Sequence, residues 1–327
     1  MDVAALVNDP IIRKIVTHPD DDTVTWQSDL QRFLEHDIRL TRRSVGELAI
    51  SAVQRLLIFL GYSTSASGAF SIDGDFGRGT NRAVAQFQFE HQLSSTISRK
   101  DLCYPCQWNT AKKLITSVPE ATLTEPTLTA MLSVAKERCK NKQIMTGELE
   151  SALFHLNALH RRRFLNCREI LEHYGQSAQT ASEGIREQEG ITVRAEWILA
   201  IIRQETAGVI RPRFEQHYLS RLNRNHPEQS LPELRMQSMS LGLGQIMGTN
   251  YQAVGASNAT ALFTAPVEKQ VIFVGEFLKP RESQTRKGDP TTEDFRKVAR
   301  FYNGPQYAAH LYHEQLARWF REFRLLM

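Results

Sequence analysis

The apolar run WILAIIRQETAG, residues 197–208, is the feature that most constrains the fold of this chain. Ile198, Ile201 and Ile202 lie seven, four and three positions before Glu205, so an α-helix places them on the face that carries the acid. A helix that is apolar around most of its surface has to be enclosed by other elements. The run therefore predicts a buried helix that ends in a carboxyl group facing apolar surroundings.

Helical periodicity recurs along the chain, and no β-rich region of any length appears. In SVGELAISAVQRLLIFLGY the apolar residues form one stripe, and Gly61 ends the helix where a positive φ is wanted. TGELESALFHLNALHRRRFLNCREILEHYG predicts a long amphipathic helical stretch closed by Gly175. Further helices are predicted near residues 266–279, 291–302 and 306–325. The fold class predicted from these patterns is mainly α.

The length of the chain and its charge limit the classes of function that it can have. A chain of 327 residues favours two domains, each able to bury a core. Lys+Arg 40 against Asp+Glu 36 is far from the excess of a nucleic-acid binder, so we expect no nucleic-acid partner. No apolar run is long enough to span a bilayer, so we expect no membrane partner either.

The four cysteines, Cys103, Cys106, Cys139 and Cys167, are too few for a disulfide scaffold. The Cys103-x-x-Cys106 pair could close a small bridge or supply half of a zinc site, but no second pair completes that site. We therefore expect reduced, partly buried thiols, no metal and no cofactor.

A turn followed by a helix is indicated by FSIDGDFGRGTNRAVAQFQFEHQL, with Thr80 as the predicted N-cap. Together with the preceding helix, this segment resembles the small three-helix peptidoglycan-binding domain found on many cell-wall hydrolases. The resemblance implies wall contact by Tyr62, Asp73, Asp75 and Phe76. A purely structural packing module is the alternative. The matching positions are Gln54, Leu57, Gly61, Tyr62, Asp73, Gly74, Phe76, Gly77, Thr80, Ala83, Val84, Phe87 and Gln88.

The chain is predicted to divide at the polar, lysine-rich segment CKNKQIMTGELE. We predict a helical lead-in of unknown role over residues 1–45, a peptidoglycan-binding domain over residues 46–138, and a catalytic domain over residues 146–327. An extra segment at about residues 95–120 is an insertion relative to the binding-domain pattern.

Glu205 is the candidate catalytic acid. An ionised carboxylate in apolar surroundings is disfavoured, so its pKa should rise and the group should hold a proton near neutral pH, as a general acid must. The alternative is that Glu205 reaches solvent at a frayed helix end or pairs with Arg203 or another nearby arginine.

Four separated motifs extend this interpretation: the helix ending in Glu205, RPRFEQHYLSRL, MSLGLGQIMGTNYQAVG and VARFYNGPQYAAHLY. Together they resemble the phage-type N-acetylmuramidase family over about residues 190–320, which implies a lysozyme-like helical fold. The matching positions are Glu205, Phe214, Glu215, His217, Ser240, Gly242, Leu243, Gln245, Ile246, Met247, Gly248, Tyr251, Tyr302, Asn303, Gly304 and Tyr307.

This resemblance implies site residues. Glu205 is expected to protonate the leaving oxygen, and Glu215 is the candidate second carboxylate, because glycoside hydrolysis usually needs two. The expected substrate-binding residues are Gln245, Tyr302, Asn303, Ser240 and His217.

Glu215 has two alternative interpretations. A structural salt bridge with Arg211, Arg213 or Arg221 is the serious one. Metal binding together with His217 is disfavoured, since no third ligand lies at a useful spacing.

The resemblance implies a peptidoglycan-degrading muramidase that cleaves the β-1,4 bond between N-acetylmuramic acid and N-acetylglucosamine. A lytic transglycosylase and a non-catalytic wall-binding protein are the alternatives. The N-terminus shows no signal peptide, so we expect synthesis in the cytoplasm and action on periplasmic peptidoglycan. The setting would be phage lysis or type VI secretion, with an immunity protein and secretion components as partners in the second case.

Overall fold

A computed structural model describes residues 6, 8–20, 40–41, 47–103 and 119–327. Within these ranges the chain forms fifteen α-helices and three strands of two or three residues, which confirms the predicted mainly α class. Only part of the predicted lead-in, including helix α1, falls within the described residues. Cys106 lies outside them, while Cys103, Cys139 and Cys167 are free thiols.

The chain divides into two compact units. Unit 1 comprises residues 1–162, 211–240 and 247–249, and unit 2 comprises residues 163–210, 241–246 and 250–327. Unit 1 thus takes in residues 211–240, which the sequence-based boundaries assign to the catalytic domain. The predicted domain boundaries remain a prediction.

The helices of unit 1 are α1 (Pro10–Val16), α2 (Glu47–Phe59), α3 (Arg78–Glu90), α4 (Arg99–Cys103), α5 (Glu125–Lys140), α6 (Leu149–His160), α9 (Gln216–Asn225) and α10 (Leu231–Gln237). The helices of unit 2 are α7 (Cys167–Glu189), α8 (Ala195–Glu205), α11 (Ala259–Phe263), α12 (Val267–Leu278), α13 (Glu282–Thr285), α14 (Thr292–Asn303) and α15 (Tyr312–Leu326). The strands are β1 (Arg213–Phe214), β2 (Met239–Leu241) and β3 (Ile246–Met247), in the sheet order β1-β2-β3. No described helix is long and apolar enough to cross a membrane.

The turn before α3 is organised by the buried amide of Gln54 in α2. Its Nε2 donates to Asp73 Oδ1 at 2.7 Å and to Thr80 Oγ1 at 3.1 Å, and its Oε1 accepts from the Asp73 and Gly74 backbone N–H groups. The prediction that Thr80 caps α3 is wrong, because the helix begins earlier, with Gly77 as its N-cap. The Thr80 hydroxyl is buried inside the unit and bonds Gln54 instead.

The segment 211–240 is joined to the rest of unit 1 by backbone contacts. Strands β1 and β2 are antiparallel, with Arg213 opposite Ser240 and Phe214 opposite Met239. The Phe214 N–H donates to the Gly68 carbonyl at 2.8 Å. Gly68 has a φ of +89°, and a Cβ at this position would lie 1.9 Å from the Phe214 carbonyl oxygen, so only glycine allows this approach.

A buried ion pair links α10 to α3. Arg235 and Glu90 expose only 2% and 4% of their side chains, and their atoms Nε and Oε1 are 2.8 Å apart. The Tyr62 hydroxyl donates to Glu90 Oε2 at 2.6 Å, and the Arg235 guanidinium lies 4.1 Å from the Tyr62 ring centroid and donates to the Gly61 carbonyl. Two buried charges are tolerated here because each has several partners.

Helix α8 is the most buried helix of the described part of unit 2. The Trp197 side chain is fully buried and packs on Phe295 of α14 and Phe320 of α15, with ring centroids 4.8 and 5.0 Å apart. The predicted buried helix is therefore confirmed. Helices α12 and α14 also lie within two residues of their predicted positions.

The predicted continuous stretch over residues 146–175 is wrong. The chain leaves α6 at His160, and Asn166 starts α7 through a capping box with Glu169. Gly175 is buried inside α7, which ends at Gly190 in a left-handed conformation. A strong N-cap signal in the middle of the stretch begins a new helix.

Removal of the Glu90 charge is expected to destabilise the protein. Glu90→Gln leaves Arg235 buried without its counter-ion, which costs about 3–5 kcal/mol of unfolding free energy. Denaturant unfolding followed by circular dichroism measures this. The control Glu293→Gln changes an exposed glutamate of α14 and should alter stability by less than about 0.5 kcal/mol. Equal effects of the two substitutions would contradict the structural role of the pair.

The buried carboxylate of Asp294, in the first turn of α14, should make the stability of the protein fall in acid. Burial raises the pKa of Asp294, but hydrogen bonds from Lys287 and Thr291 outweigh burial, so the pKa lies below its usual 3.8. A carboxyl whose folded-state pKa is lowered contributes stability above its unfolded pKa and loses it as pH falls through the folded value. Asp294→Asn, which keeps an acceptor but cannot titrate, should therefore flatten the stability loss seen below about pH 4. Unfolding titrations between pH 6 and pH 2.5 compare the two proteins, and parallel curves would contradict this origin.

Candidate active site

Glu205 is the last residue of α8 and is half-buried. The preceding residues of the same face, Ile198, Ile201 and Ile202, are fully buried, as their spacing predicts. The next residue, Thr206, is buried and fixes the end of the helix. Its hydroxyl donates to the Leu243 carbonyl at 2.9 Å, which fastens the helix end to the loop 242–245.

The loop 242–245 has a tightly specified backbone. Gly242 has a φ of +70°, and the Leu243 N–H donates to Gln270 Oε1 of α12 at 3.2 Å. A Cβ on Gly244 would lie 2.7 Å from the Tyr302 hydroxyl, so this side of the loop has no room for a side chain. Gln245 is a non-glycine residue with a positive φ of 49°, and its Nε2 donates to the Gly242 carbonyl at 3.2 Å. Such strain often accompanies a functional loop.

Two phenols lie next to the Glu205 carboxylate. The Tyr312 hydroxyl donates to Glu205 Oε1, and the Tyr302 hydroxyl donates to the Gly244 carbonyl at 2.7 Å. Burial, followed by the charge of Glu205, raises the pKa of both tyrosines well above the usual value. Both side chains therefore stay neutral hydrogen-bond donors.

Tyr312 was not among the residues expected from the sequence. It is the first residue of α15, after Leu311 in a left-handed conformation, and it shares its face with buried Leu316, Phe320 and Phe323. A tyrosine on the apolar face of the last predicted helix was the available signal. The hydroxyl that donates to the Glu205 carboxylate is that of Tyr312, and Tyr302, expected from the sequence as a substrate-binding residue, lies near the same carboxylate.

Arg203 and Asn303 flank this region of unit 2. The Arg203 guanidinium lies 4.3 Å from the Trp319 ring centroid, a cation–π contact. Asn303 is exposed at the end of α14, directly after Tyr302. Its amide is accessible to a ligand.

Glu215 belongs to unit 1, where it is the N-cap residue of α9. Its Oε1 lies 2.9 Å from Arg213 Nε, and its Oε2 lies 3.6 Å from His217 Nδ1, with 25% of the side chain exposed. The Glu215 N–H donates to the Ser238 carbonyl at 2.9 Å. The structure thus contains the Arg213 salt bridge foreseen as an alternative, and the carboxylate still reaches solvent.

Ser240 and His217 also lie in unit 1. The Ser240 hydroxyl donates to Met247 Sδ at 3.4 Å, and His217 is exposed. Among the described residues, no three histidines, cysteines or acids are grouped so that they could hold a metal ion.

The four residues expected to contact the wall divide into two kinds. Tyr62 and Phe76 are fully buried, so they belong to the core of unit 1, which corrects the expectation of direct contact. Asp73 and Asp75 are exposed, and Asp73 Oδ1 accepts from the Asp75 N–H at 3.1 Å. The exposed turn that contains these two acids is the part that a ligand can reach.

Comparison with known proteins relates both parts of the chain to families. Residues 213–324 match the family described as N-acetylmuramidase, and residues 47–96 match the family described as "Putative peptidoglycan binding domain". Among solved structures, the crystal structure of the Burkholderia AP3 phage endolysin aligns with a TM-score of 0.34 at 18% identity, covering 88% of this chain and 99% of that chain. No curated protein matches the chain.

The family match covers most of the predicted site. Glu215, Gln245 and Tyr302 fall within residues 213–324, as does Tyr312, which the sequence did not predict, whereas Glu205 lies eight residues before the first matched position. A wall-binding domain next to a muramidase domain supports peptidoglycan hydrolysis. The chain is thus a peptidoglycan glycosidase with an N-acetylmuramidase domain at residues 213–324 and a peptidoglycan binding domain at residues 47–96.

Proposed function

We propose that the protein cleaves the β-1,4 bond between N-acetylmuramic acid and N-acetylglucosamine, with Glu205 as the proton donor. The observation that carries this proposal is the position of the Glu205 carboxyl at the end of a buried helix, hydrogen-bonded to Tyr312. Cleavage of a glycosidic bond requires protonation of the leaving oxygen, and a fixed, half-buried carboxyl group can supply that proton.

The surroundings of Glu205 favour this role. The C-terminal end of α8 presents partial negative charge from its carbonyl groups, which disfavours a second negative charge there. Tyr302 and Tyr312 cannot take over the titration, because burial raises the pKa of each phenol. The Tyr312 hydroxyl fixes the orientation of the carboxyl group. Together these features make the Glu205 carboxyl group the proposed proton donor and fix its position.

The loop 242–245 and the end of α14 are the proposed substrate-binding elements. Gln245 and Asn303 carry amides that suit the N-acetyl groups of both sugars, since an amide can donate and accept at once. Tyr302 braces the loop through Gly244 and so holds it in register with α14. Ser240 and His217 are the other proposed substrate-binding residues.

Glu215 is the proposed second carboxylate. Its contact with Arg213 holds the charged group in a defined orientation at the start of α9. In an inverting enzyme it would deprotonate water, and in a retaining enzyme it would attack the sugar carbon. The anomer released first, measured by NMR on a soluble fragment, separates these two mechanisms.

A lytic transglycosylase is the second candidate, favoured by the tyrosine that donates to the acid. Such an enzyme uses one acid and lets the C6 hydroxyl of the sugar attack, which leaves a 1,6-anhydro end. Mass spectrometry of digested sacculi separates the two reactions. Products that have gained water support hydrolysis, and anhydro ends would replace it.

The proposed site of action is periplasmic peptidoglycan, reached through a secretion system or during phage lysis. The binding domain would raise the local concentration of substrate without changing the active site. An effector should have a neighbouring gene for an immunity protein that binds it, whereas a phage lysin should lie among lysis genes. Gene neighbourhood and co-purification with the neighbour's product test this part of the proposal.

Glu205→Gln should abolish proton donation while keeping the size of the side chain. We expect kcat for sacculus digestion to fall by about 10²–10⁴-fold, with folding and sacculus binding unchanged. Release of reducing ends measures the reaction. Glu314→Gln, at an exposed acid near the start of α15, serves as the matched control. Undiminished clearing by Glu205→Gln would remove the proposed mechanism.

Tyr312→Phe removes the donor to Glu205 and leaves the ring in place. Loss of a hydrogen bond to the ionised form makes that form less stable, so the proton is retained to higher pH. The alkaline limb of the pH–kcat profile should therefore move to higher pH, with kcat lowered by about tenfold from lost orientation. Tyr302→Phe is the comparison, because its hydroxyl donates to Gly244. The alkaline limb should move less in Tyr302→Phe than in Tyr312→Phe. An equal movement in the two variants would contradict the role of the Tyr312 hydrogen bond.

A further inference from the structure

The insertion after the peptidoglycan-binding core has a structural partner. Its described helix α4 follows the family match at residues 47–96 and lies against α9, which begins directly after Glu215. Both helices belong to unit 1. A segment that departs from the binding-domain pattern therefore contacts the segment that carries the candidate second carboxylate.

Three side-chain hydrogen bonds hold α4 and α9 together. Gln216 Nε2 donates to the Leu102 carbonyl at 2.9 Å, and the Ser220 hydroxyl donates to the Cys103 carbonyl at 2.6 Å. These two bonds satisfy carbonyl groups at the C-terminal end of α4, which have no partner within so short a helix. Arg99 Nε donates to Asn223 Oδ1 at 2.7 Å. The three contacts are spaced one helical turn apart or nearly so, and they fix α9 along its length.

Gln216 is the important member because it adjoins Glu215. Its side chain is buried, and the amide that binds the Leu102 carbonyl fixes the first residue of α9. On the preceding strand, the Arg82 guanidinium of α3 lies 4.9 Å from the Phe214 ring centroid, and the Phe214 N–H binds the Gly68 carbonyl. Phe214 and Gln216, on either side of Glu215, are thus both held by residues of the segment 68–102.

We propose that α4 is a positioning element for Glu215, acting through Gln216 and Arg99. The inference rests on the proposed function, because it assigns Glu215 a part in the chemistry. It also means that the insertion after residue 96 serves the proposed second carboxylate and not only the binding domain. A carboxylate displaced by about 1 Å can lose orders of magnitude in rate, so loss of this brace should be visible in kcat.

The test uses the full-length protein and a soluble GlcNAc–MurNAc oligosaccharide too short to depend on the wall-binding domain. Gln216→Met keeps the apolar volume and removes the donor to Leu102, while Arg99→Ala breaks the contact with Asn223. Lys100→Ala is the matched control, since Lys100 is exposed on the same helix. Circular dichroism verifies folding, and Arg99→Ala carries the test if Gln216→Met does not fold.

We expect kcat to fall about fivefold or more in both variants, with KM and binding to sacculi unchanged. Arg99→Lys should restore part of the rate. In the Glu215→Gln background, the effect of Gln216→Met should disappear, because the residue it positions has lost its function. If Gln216 only stabilised the fold, Gln216→Met would lower stability, and its effect on kcat would be the same with and without the Glu215 carboxylate.

Two results would overturn the inference. One is an unchanged kcat in both variants, and the other is an equal loss in the presence and absence of the Glu215 carboxylate. Failure of the proposed function is recognised separately, by activity that survives in Glu205→Gln. A protein that needs Glu205 but is indifferent to Gln216 and Arg99 keeps its proposed function and loses only this inference.

Discussion

The hydrogen bond from Tyr312 to Glu205 depends on the packing of α8 against α15 in unit 2. The acid is at the end of α8, and the phenol is at the start of α15, so the bond exists only if these two helices pack in register. Trp197 between Phe295 and Phe320 provides that register. Packing of large apolar side chains therefore determines the position of a polar contact that orients the proposed proton donor.

The loop 242–245 adds a second layer of control. It is tied to the end of α8 through Thr206, to α12 through Gln270 and to α14 through Tyr302. Each tie uses a backbone group of the loop, so the backbone conformation is specified from three directions. This explains how Gln245 can be held in a left-handed conformation that a non-glycine residue rarely adopts.

Local patterns predicted the helices and the acid, but not the long-range partners. The spacing of Ile198, Ile201 and Ile202 before Glu205 was sufficient for the buried helix, since periodicity reports which face is inside. It could not show that Tyr312, more than a hundred residues later, donates to that acid, because hydrogen-bond partners across the fold leave no periodic trace. The break before α7, the cap of α3 and the burial of wall-contact candidates were missed because competing caps and tertiary packing override local propensity.

The buried pairing of Arg235 with Glu90 has a consequence for protein engineering. The two residues lie in regions that match different families, so the sequence-level seam between modules cuts through a shared core. A chimaera that exchanges the binding module at that boundary could lose Glu90 and would then leave the Arg235 guanidinium buried without its counter-ion. Redirecting the protein to another cell wall would therefore require changing exposed residues on the existing scaffold, rather than exchanging the whole module.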